Sequence, residues 1–125
     1  MSEQKGAYKT ALTAVTTTAA GGALSLANPE GADLIITRLV LDITTPSTGA
    51  ATVDAGIAAD GETSSDNLID GQSVATAAKV LDNVSDGGTN GKARQKWSAS
   101  QYLTITASAT LAGLVGNAYV EYIRA

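Results

Sequence analysis

Seven carboxylates lie close together in the centre of this sequence and are the first candidates for chemistry. They are Asp54, Asp60, Glu62, Asp66, Asp70, Asp82 and Asp86. Carboxylates in flexible loops bind Ca²⁺, but these residues do not follow the order of an EF-hand loop. A general acid needs a carboxyl group whose burial raises its pKa, whereas the Gly, Ser and Thr residues around these side chains predict exposure. We therefore expect an exposed acidic loop over residues 60–70, with cation binding as the alternative, and no catalytic or metal residue.

Groups for nucleophilic catalysis are scarce as well. The sequence contains no His and no Cys. A Ser nucleophile needs an adjacent base, and the candidates by proximity, Ser98 and Ser100 near Lys96, form no specific pattern. Four Tyr and one Trp are too few aromatic residues for a cleft that holds a sugar for hydrolysis. The chain is therefore predicted not to be an enzyme and to need no cofactor.

A short basic segment follows the acidic region. Lys92, Arg94 and Lys96 alternate along the chain, so on a strand they would share one face. This pattern is typical of a charged edge strand that resists aggregation. It also fits a patch that binds an acidic surface, such as residues 60–70 of a neighbouring copy. Trp97 comes next, as a packing anchor or an interface residue.

The overall charge narrows the class of partner. The chain has 12 acidic and 8 basic residues, a net charge of −4. This balance disfavours nucleic acid, whose non-specific binding depends on neutralising phosphates. No run of apolar residues is long enough to span a membrane, and residues 1–10 lack the apolar segment of a signal peptide.

The elements that must position these residues are strands. Large apolar residues recur at every second position in three stretches, which places one face of each stretch on a core. The stretches are Ile35, Thr37, Leu39, Leu41 and Ile43; Ala51, Val53, Ala55 and Ile57; and Leu103, Ile105 and Ala107. Near the end of the chain, Ala118, Val120 and Tyr122 alternate with Tyr119, Glu121 and Ile123. The stretch 51–58 is the expected hairpin partner of 34–44, because the loop between them is too short for a crossover helix. Leu68 and Ile69 are expected to point inward from one helical turn.

These patterns predict an all-β chain. Seven or eight short strands separated by turns indicate a single-domain antiparallel β-sandwich, jelly-roll-like, over residues 10–125. Residues 1–9 are polar and contain Gly, so we expect an extended N-terminal arm there. Because 23 Ala residues dilute 26 larger aliphatic ones, the core is thin, and we expect a homo-oligomer whose copies stabilise one another.

Two segments, from Asn28 to Gly71 and from Thr89 to Ile123, carry a family resemblance. The first contains NPEG, DITT, TGAA, DAG and SDNLIDG, and the second contains TNGKARQK and AGLVGNAYVEY. Over these segments, about two-thirds of the chain, the sequence resembles small structural proteins of tailed-bacteriophage virions, of the β-sandwich head decoration or cement type. The resemblance implies a homotrimer that decorates the outside of the capsid, with the major capsid protein as its partner. It also implies a virion protein made in the host cytoplasm, without catalytic residues.

The predicted contact residues combine the arm with the basic segment. They are Gln4, Lys5, Tyr8, Lys9, Lys92, Arg94, Lys96 and Trp97. Main-chain hydrogen bonds from the arm would supply affinity by strand addition. The alternative function is a receptor- or glycan-binding module of a head fibre or tail. The shortage of aromatic rings for stacking on sugars weighs against it.

Overall fold

A computed structural model describes residues 5–125 as nine β-strands joined by turns and loops. The strands are β1 (Lys5–Ala11), β2 (Leu24–Ala27), β3 (Leu34–Thr45), β4 (Thr52–Ala58), β5 (Ile69–Ser73), β6 (Lys79–Asp82), β7 (Gln95–Trp97), β8 (Tyr102–Ala107) and β9 (Val115–Arg124). Within that range no helix is long and apolar enough to cross a bilayer.

The strands form two sheets, and every pair of neighbouring strands is antiparallel. Sheet A has the order β1-β9-β3-β6, with β7 also paired to β3. Sheet B has the order β2-β8-β4-β5. The predicted all-β antiparallel sandwich is confirmed, with nine strands in place of seven or eight.

The strand order is that of a jelly roll. The pairs β4–β5, β3–β6, β2–β8 and β1–β9 nest inside one another, as in a long hairpin that folds back at the β4–β5 loop. Winding this hairpin into a roll adds the pairs β3–β9 and β4–β8 and divides the strands between two sheets. The result is an eight-stranded jelly roll, with the short β7 added beside β3.

The core lies between the two sheets and confirms most of the alternation seen in the sequence. Its largest fully buried side chains are Trp97, Leu34, Ile36, Leu39, Leu41, Ile43, Leu68, Ile69, Leu103, Ile105, Leu111 and Val74. β4, β8 and β9 bury the residues that the period of two predicted. Leu68 and Ile69 point inward as expected, but they lead into β5 and not from a helical turn.

The prediction for β3 was wrong in the first half of the strand. Ile35 and Thr37 were expected in the core, whereas Leu34 and Ile36 are the buried residues there. The register against β9 shifts between Ile36 and Arg38. An extra residue in one strand reverses which side chains face the core, so the alternation changes phase at this bulge.

The predicted hairpin between β3 and β4 was also wrong, because the two strands lie in different sheets. The connecting loop crosses from sheet A to sheet B. Ser47 N donates to Val74 O (3.0 Å) and Thr48 N donates to Ala112 O (2.9 Å). These bonds direct the chain across the edge of the sandwich, and β4 then pairs with β5 and β8.

The N-terminal segment enters sheet A. Of the arm predicted over residues 1–9, residues 5–9 form most of β1, which pairs with β9 from Lys5–Ile123 to Ala11–Asn117. Residues 1–4 of that arm, including Gln4, lie outside the described residues.

Candidate interaction surface

Part of the outer face of sheet B is covered by the loop between β4 and β5, residues 59–68, which contains most of the predicted acidic loop. Thr104 in β8 is fully buried, and its Oγ1 donates to Thr63 O (2.8 Å). Asn67 pairs with β4 like an added strand residue, accepting from Ile57 N (2.8 Å) and donating to Ile57 O (3.1 Å). Gly56 in β4 is buried under the same loop, which approaches so closely that a Cβ at this position would collide with Ser65 and Asn67. The loop therefore covers the part of this face around Thr104 and Gly56 with the chain's own residues.

Three carboxylates in and beside this loop, Asp54, Asp66 and Asp70, accept hydrogen bonds from within the chain. Gly71 N donates to Asp54 Oδ1 (2.7 Å), while Asn90 donates from its side chain to Asp66 (3.0 Å) and from its backbone to Asp70 (3.2 Å). Burial raises the pKa of Asp54, the Gly71 bond opposes that rise, and the charges of Asp70 and Asp66 add to it. Among the residues that the structure describes, no group of three acidic side chains is arranged to hold a metal ion.

The outer face of sheet A is different, because it exposes apolar side chains to solvent. We call it the open face. Its apolar members are Ile35 and Val40 (β3), Val80 (β6), and Val115, Tyr119 and Ile123 (β9). Val80 is 64% exposed and Val115 is 55% exposed.

The other strongly exposed apolar residues also belong to sheet A or adjoin it. Tyr8 lies in β1 and is 39% exposed, and Val84 follows β6 and is 50% exposed. Sheet B thus contributes none of the large exposed apolar residues found within 5–125. Of the four, Val80 and Val115 lie on the open face, and exposed apolar groups that share a face are typical of an interaction surface.

Charged residues of both signs accompany the apolar groups on the open face. Lys9 Nζ lies 5.6 Å from the centroid of the Tyr119 ring, a cation–π contact. Arg38 lies opposite Glu121, and Asp42 lies opposite Val80. This mixture suits a protein surface better than a polyanion, since it offers hydrogen bonds and ion pairs around an apolar centre.

Several predicted contact residues reach the surface, but they do not form one cluster. Lys9 and Lys96 share the open face, where Lys96 Nζ lies 3.7 Å from Asp33 Oδ2. Tyr8 lies opposite Val120, on the other side of sheet A. Lys5 lies in β1 opposite Ile123.

The basic segment is only partly a strand. Lys92 and Arg94 are exposed, but they precede β7, which begins at Gln95. Lys92 N donates to Asn67 O (2.9 Å), so the segment runs beside the acidic loop of its own chain. The alternation of three cations therefore does not place all three on one strand face.

Trp97 is a packing anchor. It is fully buried, and its Nε1 donates to Gln101 O (2.9 Å). The ring fixes β7 to the core opposite Leu34 and presents no surface to a partner. This outcome corrects the placement of Trp97 among the contact residues.

Sequence reasoning missed Val80 and Val115 as surface residues. Alternation did identify Tyr119, Glu121 and Ile123 as one face of the last strand, which is part of the open face. The remaining apolar members come from strands that are distant in sequence, and only the strand order brings them together.

In the segments that carry the family resemblance, the NPEG residues hold the turn after β2, whereas DITT lies in β3 and NAYVEY lies in β9. Asn28 of NPEG donates to Ala32 O (2.8 Å) and Trp97 O (3.1 Å), and it accepts from Glu30 N (2.9 Å). Gly31 in the same turn has a φ of 64°, which favours glycine. These residues fix the fold and do not line a site.

Comparisons with known proteins give one structural likeness. The sequence matches no family model and no curated protein. Among solved structures, it is similar to a chain of the acidic stable capsid structure of Helicobacter pylori bacteriophage KHP30. The two chains are 13% identical with a TM-score of 0.46, and the match covers 98% of this chain and 93% of the other.

Proposed function

We propose that this chain is a structural protein of a tailed-bacteriophage virion that binds the outside of the capsid as a decoration or cement subunit. In this role it stabilises the shell through contacts with the major capsid protein and with other copies of itself. The observation that carries the proposal is the contrast between the two outer faces. Sheet B is covered in part by its own acidic loop, whereas sheet A exposes its apolar side chains.

The open face has the composition of a contact surface. Val80 and Val115 are partly exposed in the isolated subunit, and burying the rest of each side chain against a partner contributes a part of the about 1.5–3 kcal/mol that full burial of such a side chain is worth. Lys9 and Arg38 add groups that can pair with carboxylates of a partner. The exposed Lys92 and Arg94 extend the positive charge toward the loop before β7.

Fold and sequence resemblance support the position on the particle. Jelly rolls occur in viral capsid and lectin domains, so the fold alone allows both a shell protein and a sugar-binding module. The NPEG, SDNLIDG and TNGKARQK segments resemble those of head decoration proteins and favour the shell. A trimer, which the same resemblance implies, would engage several capsid sites at once and convert weak contacts into stable binding.

The test is to add the purified protein to phage heads that lack it and to image the particles by electron microscopy. Density spread over the whole shell, at a fixed number of copies per capsomer, is the expected result. Absence of binding, or density confined to a tail or a single vertex, would refute the decoration function.

One observation favours the alternative, a glycan-binding module. A shallow depression of about 340 Å³ is lined by Ser25, Asp60, Gly61, Glu62 and Tyr102. An aromatic ring beside carboxylates can bind a sugar by stacking and by hydrogen bonds to hydroxyl groups. Chemical-shift changes at Tyr102 on titration with host-surface oligosaccharides would support this function, and unchanged spectra would exclude those sugars.

A further inference from the structure

The edge of sheet A formed by β1 differs from the other sheet edges in the described part of the chain. β1 has 7 residues and an uninterrupted register against β9. The other edge strands are β2 (4 residues), β5 (5 residues), β6 (4 residues) and β7 (3 residues). Short length, bulges and charges normally protect edges from pairing with another chain. β1 is long and regular, and over residues 6–11 only the charge of Lys9 opposes pairing.

The free backbone groups of β1 can be assigned from one hydrogen bond. Leu12 N donates to Gly116 O (2.9 Å), which continues the register of β1 against β9. In an antiparallel pair, successive residues direct their N–H and C=O groups alternately toward and away from the neighbouring strand. Gly6, Tyr8 and Thr10 therefore bond to β9, and the odd-numbered residues 5–11 direct their groups to the free edge.

We propose that β1 pairs antiparallel with β1 of a second copy of this chain, across a two-fold axis at Tyr8. The pairing joins the A sheets of the two copies into one continuous sheet. It goes beyond the proposed function, because it requires two copies of this chain and no capsid.

The register follows from faces and charges. A two-fold axis perpendicular to the sheet keeps each face of the sheet on its own side, so residues that lie opposite each other must belong to the same face. The axis must therefore lie where a residue is opposite its own equivalent in the other copy, and not between two residue positions. An axis at Ala7 pairs only residues 5–9 of β1 with one another, and an axis at Lys9 places two Lys9 residues opposite each other. Like charges directly opposite each other destabilise the pair. An axis at Tyr8 avoids both and uses all seven residues of β1.

Side chains in this register are complementary. Tyr8 of one copy lies opposite Tyr8 of the other at a pair without direct hydrogen bonds, where side chains approach most closely. Aromatic cross-strand pairs stabilise sheets, and this pair would cover the ring that is 39% exposed in the single chain. Lys9 lies opposite Ala7, and Ala7 and Lys9 exchange backbone hydrogen bonds in both directions.

The experiment changes Ala7, which is exposed. Its cross-strand neighbour is acidic within its own chain and basic in the other copy of the proposed pair. Within the chain Ala7 lies opposite Glu121, and in the proposed pair it lies opposite Lys9 of the other copy. Ala7→Lys should therefore favour the fold and weaken the pair, whereas Ala7→Glu should do the reverse. The mass of the wild-type protein and both variants is measured by analytical ultracentrifugation over a range of concentrations.

The expected result is that Ala7→Lys raises the dissociation constant by about 2- to 30-fold and Ala7→Glu lowers it by a similar factor. Thermal unfolding of dilute protein should show Ala7→Lys at least as stable as wild type, so that unfolding cannot explain its weaker association. Wild-type copies should associate in even numbers, as dimers or as hexamers built from trimers. Equal dissociation constants for the two variants, or a wild-type protein that stays monomeric or trimeric at millimolar concentration, would overturn the proposal.

Amide hydrogen exchange supplies a second readout. The amides of Gly6, Tyr8 and Thr10 should exchange slowly at every concentration, because β9 protects them. The amides of residues 7, 9 and 11 should become slow only as the protein is concentrated. Fast exchange of the odd-numbered amides at all concentrations would equally refute the pairing.

Discussion

Tyr122 Oη donates a 2.7 Å hydrogen bond to Glu30 Oε2, joining the last strand to the turn after β2. Arg124 Nη2 lies 3.8 Å from Glu30 Oε1 and adds a weaker ionic contact. On its other side, the Tyr122 ring occupies the space above Gly6 in β1, so that a Cβ there would collide with the ring. One side chain thus connects β1, β9 and the NPEG turn, and it stabilises the edge of sheet A.

The first prediction concerns stability at high pH. Burial, followed by the hydrogen bond to Glu30 and by its charge, raises the pKa of Tyr122 from 10.0 to about 12. Because the folded-state pKa lies above the unfolded one, this group's contribution to stability is complete below pH 10 and is lost as the pH rises toward about 12. Urea unfolding across that range should show a decrease in the free energy of unfolding.

Tyr122→Phe is the control for that titration, because it removes the Tyr122 hydroxyl and leaves every other group of the protein in place. The variant should be less stable than wild type by about 1–2 kcal/mol at neutral pH, since a hydrogen bond to a partly exposed carboxylate is lost. The difference between the two proteins should shrink as the pH approaches 12. A constant difference would show that the Tyr122 hydroxyl is not the group responsible.

The second prediction concerns the close approach at Gly6. Gly6→Ala should lower the free energy of unfolding by about 1–3 kcal/mol, because the new methyl group forces the Tyr122 ring away from β1. Gly49→Ala is the matched control, since a Cβ at Gly49 meets no atom within 4 Å. Chemical denaturation of both variants checks this, and equal losses would contradict the contact.

The third prediction concerns Asn83, which is 2% exposed and lies between β6 and β7. Its Oδ1 accepts from Leu39 N (2.8 Å), and its Nδ2 donates to Lys92 O (2.8 Å) and Ala93 O (3.1 Å). The side chain therefore satisfies backbone groups where β3 has no strand partner on this side. Asn83→Ala should cost about 2–4 kcal/mol, because buried polar groups are left without partners.

Asn90→Ala is the comparison for that variant. Asn90 is exposed, and its side chain bonds to Asp66 at the surface. The loss should be below about 1.5 kcal/mol. If thermal unfolding ranks the two variants in the opposite order, the Asn83 bonds do not stabilise the junction of the three strands.

The sequence predicted those parts of the fold in which local alternation meets a regular partner strand. β4 and β8 bury Val53, Ile57 and Ile105 as expected, because their pairing keeps an even register over these residues. The phase change in β3 depends on its bulge against β9, a strand far away in sequence. Local patterns also do not distinguish a loop that turns within a sheet from one that crosses between sheets, as residues 46–51 do.

The candidate surface was less predictable than the fold for a related reason. Charge and flexibility pointed to the two lysines of β1 and to the basic segment, whereas the most exposed apolar residues of the open face are single valines, one in the short β6 and one at the start of β9. Val80 and Val115 belong to the same face only because the strand order places β6 and β9 on either side of β3. Trp97 shows the opposite error, since a large aromatic residue beside cations is buried.

The last prediction tests whether the open face binds the capsid. The double variant Val80→Lys, Val115→Lys places charge in the apolar part of the open face, and neither change removes a buried side chain. Val80 lies opposite Asp42, so the new lysine at that position is compatible with the fold. Val84→Lys is the matched control, because Val84 is 50% exposed but lies in the turn after β6. Occupancy on purified heads should require at least about tenfold more of the double variant and remain at the wild-type level for Val84→Lys. Equal occupancy for all three proteins would move the capsid contact away from the open face, whatever the outcome for β1 pairing.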